Sequence, residues 1–166
     1  GWARDLFARF GINPDDQPLK TLTREDVLKS YAAGNSLSGR NLSEADLSGL
    51  DLRGINLRKS MLQKTIFRGC NLDGADLGEA LAGEADFSRA SLRETQMAKG
   101  IFQKAKFAGA NLAGSDLKQA LLNDADLAGA DLSGATLDKA LLENAKMVKA
   151  RCPMQMPRPA TFFPPT

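Results

Sequence analysis

An apolar residue recurs at every fifth position from Leu37 to Met147, and its phase never slips. Of these 23 repeat centres, 16 are Leu, four Phe, two Met and one Ala. The position two residues before each centre is Ala in 13 repeats and Ser, Thr, Cys or Gly in six more. On an α-helix, residues five apart spiral around the axis, and on a flat strand they point to opposite faces. The chain must therefore bend once in each repeat.

Regular bending allows the repeats to close into coils. If four repeats make one coil of 20 residues, successive coils can stack as parallel strands about 4.8 Å apart and pair each other's backbone groups. The 23 centres then predict a solenoid of nearly six coils over residues 35–149.

The residues around the centres identify a family. The segments ADLSG at residues 45–49, ANLAG at 110–114 and ADLSG at 130–134 resemble the A-(D/N)-L-x-x unit of pentapeptide-repeat proteins. This resemblance implies an all-β fold, a right-handed quadrilateral parallel β-helix. The handedness rule for parallel crossovers favours the same hand.

The residue just before each centre should point outward, and on three of the four predicted faces it is mostly polar. On the fourth face it is apolar in five successive coils: Met61, Leu81, Ile101, Leu121 and Leu141. Ile66 lies on the neighbouring face, close to Met61. Monomeric surfaces seldom leave such a patch open, so we expect a homodimer or another protein to cover it. The alternative is that the chain's own tail covers it.

The two ends of the chain break the repeat. Residues 1–34 predict a lead-in of two short helices, the first with Trp2, Leu6, Phe7 and Phe10 at helical spacing. The second begins at a capping box of Thr23 and Asp26 and should cap the solenoid. Residues 150–166 form a Pro-rich tail, which we expect to be extended. Its Phe162 and Phe163 could return along the apolar face, cap the last coil or bind a partner; the alternative is that the tail is disordered.

Composition excludes several classes of function. The chain has no histidine, which rules out His-dependent triads and the commonest zinc sites. Outward carboxylates such as Asp76 and Asp116 are too far apart for paired acid–base catalysis, so we expect neither an enzyme nor a cofactor, metal or small-molecule site. A net charge of +2 and no long apolar run argue against nucleic-acid and membrane binding. Cys70 and Cys152 should be separate, buried free thiols.

The predicted function is a non-catalytic scaffold or adaptor for protein–protein interaction in the bacterial cytoplasm. The alternative is the DNA-mimicking, gyrase-binding role of quinolone-resistance members of the resembled family. Mimicry needs an acidic rod, whereas residues 35–149 carry 15 Lys and Arg against 15 Asp and Glu. The lead-in at residues 22–28, followed by Ala-Ala-Gly at 32–34, resembles the approach to C-terminal pentapeptide regions of larger bacterial proteins, some linked to type VI secretion. That resemblance, with Gly rather than Met at position 1, suggests a piece of a larger protein that adapts a secreted cargo.

Overall fold

The repeats stack as parallel coils 20 residues apart. A computed structural model describes residue 9, residues 20–154 and the backbone of residues 161–162. Parallel bridges join residues 20 positions apart in four columns, for example Asp46 to Ile66 and Ile66 to Asp86. Backbone hydrogen bonds follow the same spacing, as when Leu37 N–H donates to Asn56 O at 3.0 Å. The expected pairing between successive coils is therefore present.

A tight turn follows every repeat centre. Arg40 N–H donates to Leu37 O at 3.1 Å and closes a four-residue turn in which Gly39 has a φ of +71°. A positive φ at the third residue is the signature of a type II turn. The same sign recurs at every fifth residue from Gly34 to Lys149. The bend that the period requires is thus a left-handed residue at a fixed place in each repeat.

The repeat centres fill the interior. Phe67, Phe87 and Phe107 stack face to face, with ring centroids 4.9 Å apart at each step. Phe102 packs edge-on against this stack, 6.1 Å from Phe87. Two positions before Phe102 lies Gly100, where a Cβ atom would overlap the Phe102 ring. Gly100 therefore makes the room that this large centre needs.

The helix α1, Arg24–Ala32, covers the first coil. Thr23 and Asp26 form the predicted capping box, with Asp26 N–H donating to Thr23 Oγ1 at 3.2 Å. Arg24 donates to the carbonyl oxygens of Asp46 and Ser48, and Tyr31 Oη donates to Arg53 O at 2.7 Å. These bonds satisfy carbonyls on the coil edge that faces the helix. Of the predicted first helix only Arg9 is among the described residues, and it is helical.

Strand pairing extends beyond residues 35–149 at both ends. Thr21 bridges Asn41, and Leu22, which keeps the phase of the repeat centres, is buried. At the other end, β1, Leu141–Leu142, pairs in parallel with β2, Thr161–Phe162. Both pairings keep the 20-residue spacing of the coils.

One interior prediction is wrong. Cys70 is buried, and its Sγ lies 2.8 Å from Leu47 O, but Cys152 is exposed. Cys152 has the phase of a repeat centre, yet Pro153 follows it and the next described backbone pairing begins at Thr161. The phase of the repeat therefore does not bury a side chain at the end of the repeats.

Candidate functional site

The five predicted apolar residues form one continuous column on the surface. Bridges join each to the next, from Met61 through Leu81, Ile101 and Leu121 to Leu141. Leu81 and Leu141 are each 37% exposed, and the other three are partly exposed. We call this column the apolar ladder. Its side chains touch solvent on the outside of a β-helix whose repeat centres are enclosed.

The remaining predicted contact residues lie beside or beyond the ladder. Ile66 is partly exposed in the neighbouring column, between Asp46 and Asp86. The backbone of Phe162 pairs with Leu142 at the last coil, so the tail continues the column at its end. The side chain of Phe162 and the whole of Phe163 lie outside the described residues.

The Asp or Asn of the repeat unit has a local role that the sequence reading missed. Asn111 Oδ1 accepts from the Ala113 N–H, and Asp131 Oδ1 accepts from the Ser133 N–H, each at 3.0 Å. The same bond recurs on all four faces, with distances up to 3.3 Å. At Asp131 the hydrogen bonds from Ser133 lower the pKa of the carboxyl group. An Asp or Asn two residues before a turn amide is the signal that could have revealed this Asx turn.

The five residues of the apolar ladder cannot form this Asx turn hydrogen bond. Met, Leu and Ile side chains carry no oxygen, so none of the five ladder residues can accept from its turn amide. A hydrogen bond of this kind contributes about 0.5–1.5 kcal/mol. Five successive coils therefore carry an outward apolar side chain where the repeat unit would otherwise have a turn-stabilising acceptor.

The turns on either side of the ladder, which we call the ladder corners, also depart from the most stable local structure. Each ladder residue is flanked by two positive-φ turn residues, one two positions before it and one three positions after it. None of the ten that flank the five ladder residues is glycine; with Gly39 and Glu44, which flank Asn41 in the same column, 11 of the 12 positive-φ residues on these ladder corners are not glycine. On the two far corners, only three of the 12 from Gly34 to Lys149 are not glycine. Since glycine adopts positive φ most easily, the ladder corners accept backbone strain in order to carry side chains.

The side chains on the ladder corners alternate in charge from one coil to the next. Lys59 and Lys64 flank Met61, Glu79 and Glu84 flank Leu81, and Lys99 and Lys104 flank Ile101. In the outer coils, Gly39 and Glu44 flank Asn41, Gln119 and Asp124 flank Leu121, and Lys139 and Asn144 flank Leu141. Within the chain this alternation brings Lys59 Nζ to 3.7 Å from Glu79 Oε2.

A shallow depression of about 460 Å³ lies on the face beside the ladder, next to Ile66. Its floor carries Asp86, whose side chain is almost buried and accepts from Arg68 Nη2 at 2.6 Å. Burial alone would raise the pKa of Asp86, but hydrogen bonds from Ser88 and Arg68 outweigh it and lower the pKa. In the part of the chain that the structure describes, no three Cys, Asp or Glu side chains converge where a metal ion could bind.

Comparison with models of known protein families identifies the family of this chain. The family model for pentapeptide repeats matches residues 41–78, 70–107, 101–138 and 125–152, with eight copies. The chain belongs to the pentapeptide-repeat family. Membership gives a right-handed β-helix solenoid, which agrees with the stacked parallel coils. A search of curated proteins finds no match.

Solved structures of family members resemble the chain. A pentapeptide-repeat protein of the Arabidopsis thaliana thylakoid lumen is 30% identical, with a TM-score of 0.58 over 58% of this chain and 68% of its own. Rfr23 from the cyanobacterium Cyanothece 51142 is 20% identical, with a TM-score of 0.51 over 82% of this chain and 97% of its own. At that identity Rfr23 shows the fold alone.

A third structure is QnrB1, a plasmid-mediated fluoroquinolone resistance protein. It is 21% identical, with a TM-score of 0.58, and the match covers 70% of this chain and 57% of QnrB1. The chain thus matches little more than half of QnrB1, and the likeness shows the fold alone.

Among the described residues, none forms a helix long and apolar enough to cross a bilayer. The cytoplasmic location and the link to type VI secretion stay predictions.

Proposed function

We propose that this protein is a non-catalytic scaffold whose apolar ladder binds another protein surface. The solenoid that carries the ladder has a four-sided cross-section and about six coils, so one whole side is available for contact. The rod presents no reaction chemistry of its own in this proposal. Its role is to hold a partner along a straight, rigid face.

The observation that supports the proposal is the coincidence of three features on one side. The outward residues are apolar in five successive coils, the Asx turn bonds are given up in those coils, and glycine is replaced at nearly all the adjacent positive-φ positions. Each of the last two makes folding less favourable locally. Departures from local rules of this kind concentrate at functional sites.

The balance of charge favours a protein partner over a DNA-mimicking role. Residues 35–149 carry equal numbers of acidic and basic side chains, and both signs occur on the ladder corners. A DNA mimic presents a continuous negative surface to a DNA-binding protein. Neither nucleic acid nor a membrane is a partner in this proposal.

Site-specific photo-crosslinking tests the proposal. A photoreactive benzoylphenylalanine replaces Leu81 on the ladder in cells that produce the protein, and Ser91 on a different face serves as the matched position. We expect a protein adduct from position 81 and none from position 91, with the partner identified by mass spectrometry. A purified Leu81→Asp/Leu121→Asp variant should lose binding to that partner while its circular dichroism spectrum stays unchanged. Equal adducts from both positions, or binding that survives the double substitution, would contradict the proposal.

A further inference from the structure

Resting on the proposed function, we propose that the partner on the apolar ladder is a second copy of this chain. The two rods lie antiparallel, and the two-fold axis passes between the Leu81 coil and the Ile101 coil. The charges on the ladder corners carry this inference, because an interface between identical chains must be complementary to itself.

The corner charges disfavour a parallel dimer. A two-fold axis along the rods places each coil opposite the same coil of the second copy, with the two corners exchanged. Lys59 then faces Lys64, Glu79 faces Glu84 and Lys99 faces Lys104 of the second copy. Like charges meet in the three coils that carry the most corner charge, and such contacts oppose association.

Antiparallel dimers with the axis on a ladder residue meet the same obstacle. With the axis at Leu81, Glu79 and Glu84 each face their own counterpart in the second copy. With the axis at Ile101, Lys99 and Lys104 do so. Because the charges on the ladder corners alternate from coil to coil, the favourable antiparallel registers are those in which the two-fold axis falls between two coils.

Two registers give six contacts between opposite charges. With the axis between Leu81 and Ile101, Glu79 faces Lys99 of the second copy, Glu84 faces Lys104, and Lys64 faces Asp124. Two-fold symmetry repeats each pair, so six contacts between opposite charges surround the interface.

With the axis between Met61 and Leu81, Lys59 faces Glu79, Lys64 faces Glu84 and Glu44 faces Lys104 of the second copy, but Ile101 then lies against Asn41. Of these two registers, only the axis between Leu81 and Ile101 also places four of the five ladder residues against apolar residues, so we assign the axis there.

The same register covers the apolar ladder with apolar residues except at Leu141, which lies against Asn41 of the second copy. Leu81 lies against Ile101 of the second copy, and Met61 lies against Leu121. The column of strand pairing runs from Thr21 to Thr161, seven steps or about 34 Å, and this axis lies at its middle. The two columns therefore overlap over their whole length, which no other antiparallel register achieves.

One pair of like charges remains at the outer edge of the corners, where Arg58 faces Lys118 of the second copy. Arg58 is already engaged within its own chain. Its Nη2 donates to Glu79 Oε2 at 3.1 Å, and its Nη1 lies 4.0 Å from Asp76 Oδ1. The two acidic neighbours reduce the repulsion that Lys118 meets.

Charge exchange tests the inference by sedimentation velocity over a range of protein concentrations. Glu84→Lys and Lys104→Glu each place like charges in contact twice per dimer, so each should raise the dissociation constant about tenfold or more. The double variant Glu84→Lys/Lys104→Glu restores opposite charges and should return to the wild-type constant. Rising salt concentration should weaken the wild-type dimer, since the charged pairs lie at its exposed rim.

A matched control comes from a far corner. Glu94 also has a positive φ, 55°, but lies away from the ladder, so Glu94→Lys should leave the dissociation constant unchanged. Thermal unfolding of every variant establishes that the β-helix remains folded. A change in association on Glu94→Lys equal to that of Glu84→Lys would contradict the assignment of the interface.

Each alternative arrangement predicts a different result. With the axis between Met61 and Leu81, the double variant would associate more weakly than either single variant, because position 84 then faces Lys64 and position 104 faces Glu44 with like charges. In a parallel dimer, Glu84→Lys would strengthen association because it then faces Glu79. With the axis one coil further along, between Ile101 and Leu121, the double variant would remain as weak as Lys104→Glu, which faces Asp124. Any of these results overturns the inference, and so does a wild-type chain that stays monomeric at the highest concentration. A monomer that still crosslinks to a different protein through position 81 would leave the proposed scaffold function standing.

Discussion

The ladder side and the far side of this β-helix are built from the same five-residue unit but follow different local rules. On the far side, Asn111 and Asp131 accept from turn amides, and glycine occupies most positive-φ positions. On the ladder side, apolar residues replace the acceptors, and charged or amide side chains replace nearly all the glycines. The local structure of the far side is therefore the more favourable for folding. The ladder side has less favourable local structure and presents an outward apolar surface.

The interior differs between the two sides as well. Behind the far side, the repeat centres of the column from Leu52 to Leu132 are all leucine. Behind the ladder, the undersized Ala82 is followed one coil later by the oversized Phe102, with Gly100 beside it. The packing behind the ladder therefore depends on these three residues, because the large side chain of Phe102 occupies the space that Ala82 and Gly100 leave.

The largest effect on stability should come from filling the space that Gly100 leaves. The added methyl of Gly100→Ala overlaps the Phe102 ring, and we expect a loss of about 1–3 kcal/mol in the free energy of unfolding. Urea denaturation measures it. Adding Phe102→Leu should recover part of the loss, whereas two additive losses would show that the two sites do not interact.

A matched substitution separates overlap from the simple addition of a methyl group. Gly83 also lies on the ladder side, but a Cβ there would meet only Gln103 O, at 3.8 Å. Gly83→Ala should therefore leave the unfolding midpoint nearly unchanged. An equal loss in both variants would mean that the ladder side tolerates no Cβ at glycine positions, and the Phe102 contact would not be the cause.

An intermediate effect should come from exchanging the turn residues of the two sides. At Gly74 on a far corner, φ is +69° and an added methyl group would have no atom within 4 Å, so Gly74→Ala introduces backbone strain alone. We expect it to lower the free energy of unfolding by about 1 kcal/mol. Lys64→Gly on a ladder corner relieves the same strain and should be neutral or stabilising. Thermal and urea denaturation compare them, and similar losses in both would remove the distinction between the corners.

The smallest effect should come from removing one Asx turn bond on the far side. Asn111→Ala deprives the Ala113 N–H of its acceptor. Because that amide lies in a partly exposed turn that water can reach, the loss should be about 0.5 kcal/mol, the low end for a hydrogen bond. Asn111→Asp supplies a carboxylate acceptor and should retain the stability near neutral pH.

Acidification distinguishes the bond from other effects of Asn111→Asp. A carboxylate that accepts a turn amide has a folded pKa below its unfolded value of about 3.9, as the hydrogen bonds from Ser133 produce at Asp131. The stability it contributes is complete above the unfolded pKa and is lost as the pH falls through the folded pKa. The Asp variant should therefore lose stability relative to the wild type in acid. A constant difference from pH 7 to pH 3 would contradict the proposed bond.

Much of the fold could be predicted because every repeat carries the same information. The unbroken phase from Leu37 to Met147 predicts coil length, strand partners, the Phe67, Phe87 and Phe107 stack and the outward position of Leu81. These features depend on position within a period, and stacking multiplies one local rule over many coils. The position of the apolar ladder followed from the same arithmetic.

Other features depended on contacts that have no fixed place in the period. Cys152 keeps the phase of a repeat centre but is exposed at the end of the repeats, and the role of Gly100 follows from the orientation of one ring. The pairing of Thr161 with Leu141 returns a tail of irregular sequence to the coil stack. The sequence by itself determined the repeating coil, because each turn and each interior centre is specified within five residues. Only the tertiary structure decided the ends, the fit around Phe102 and the two kinds of corner, because these depend on residues brought together from different coils.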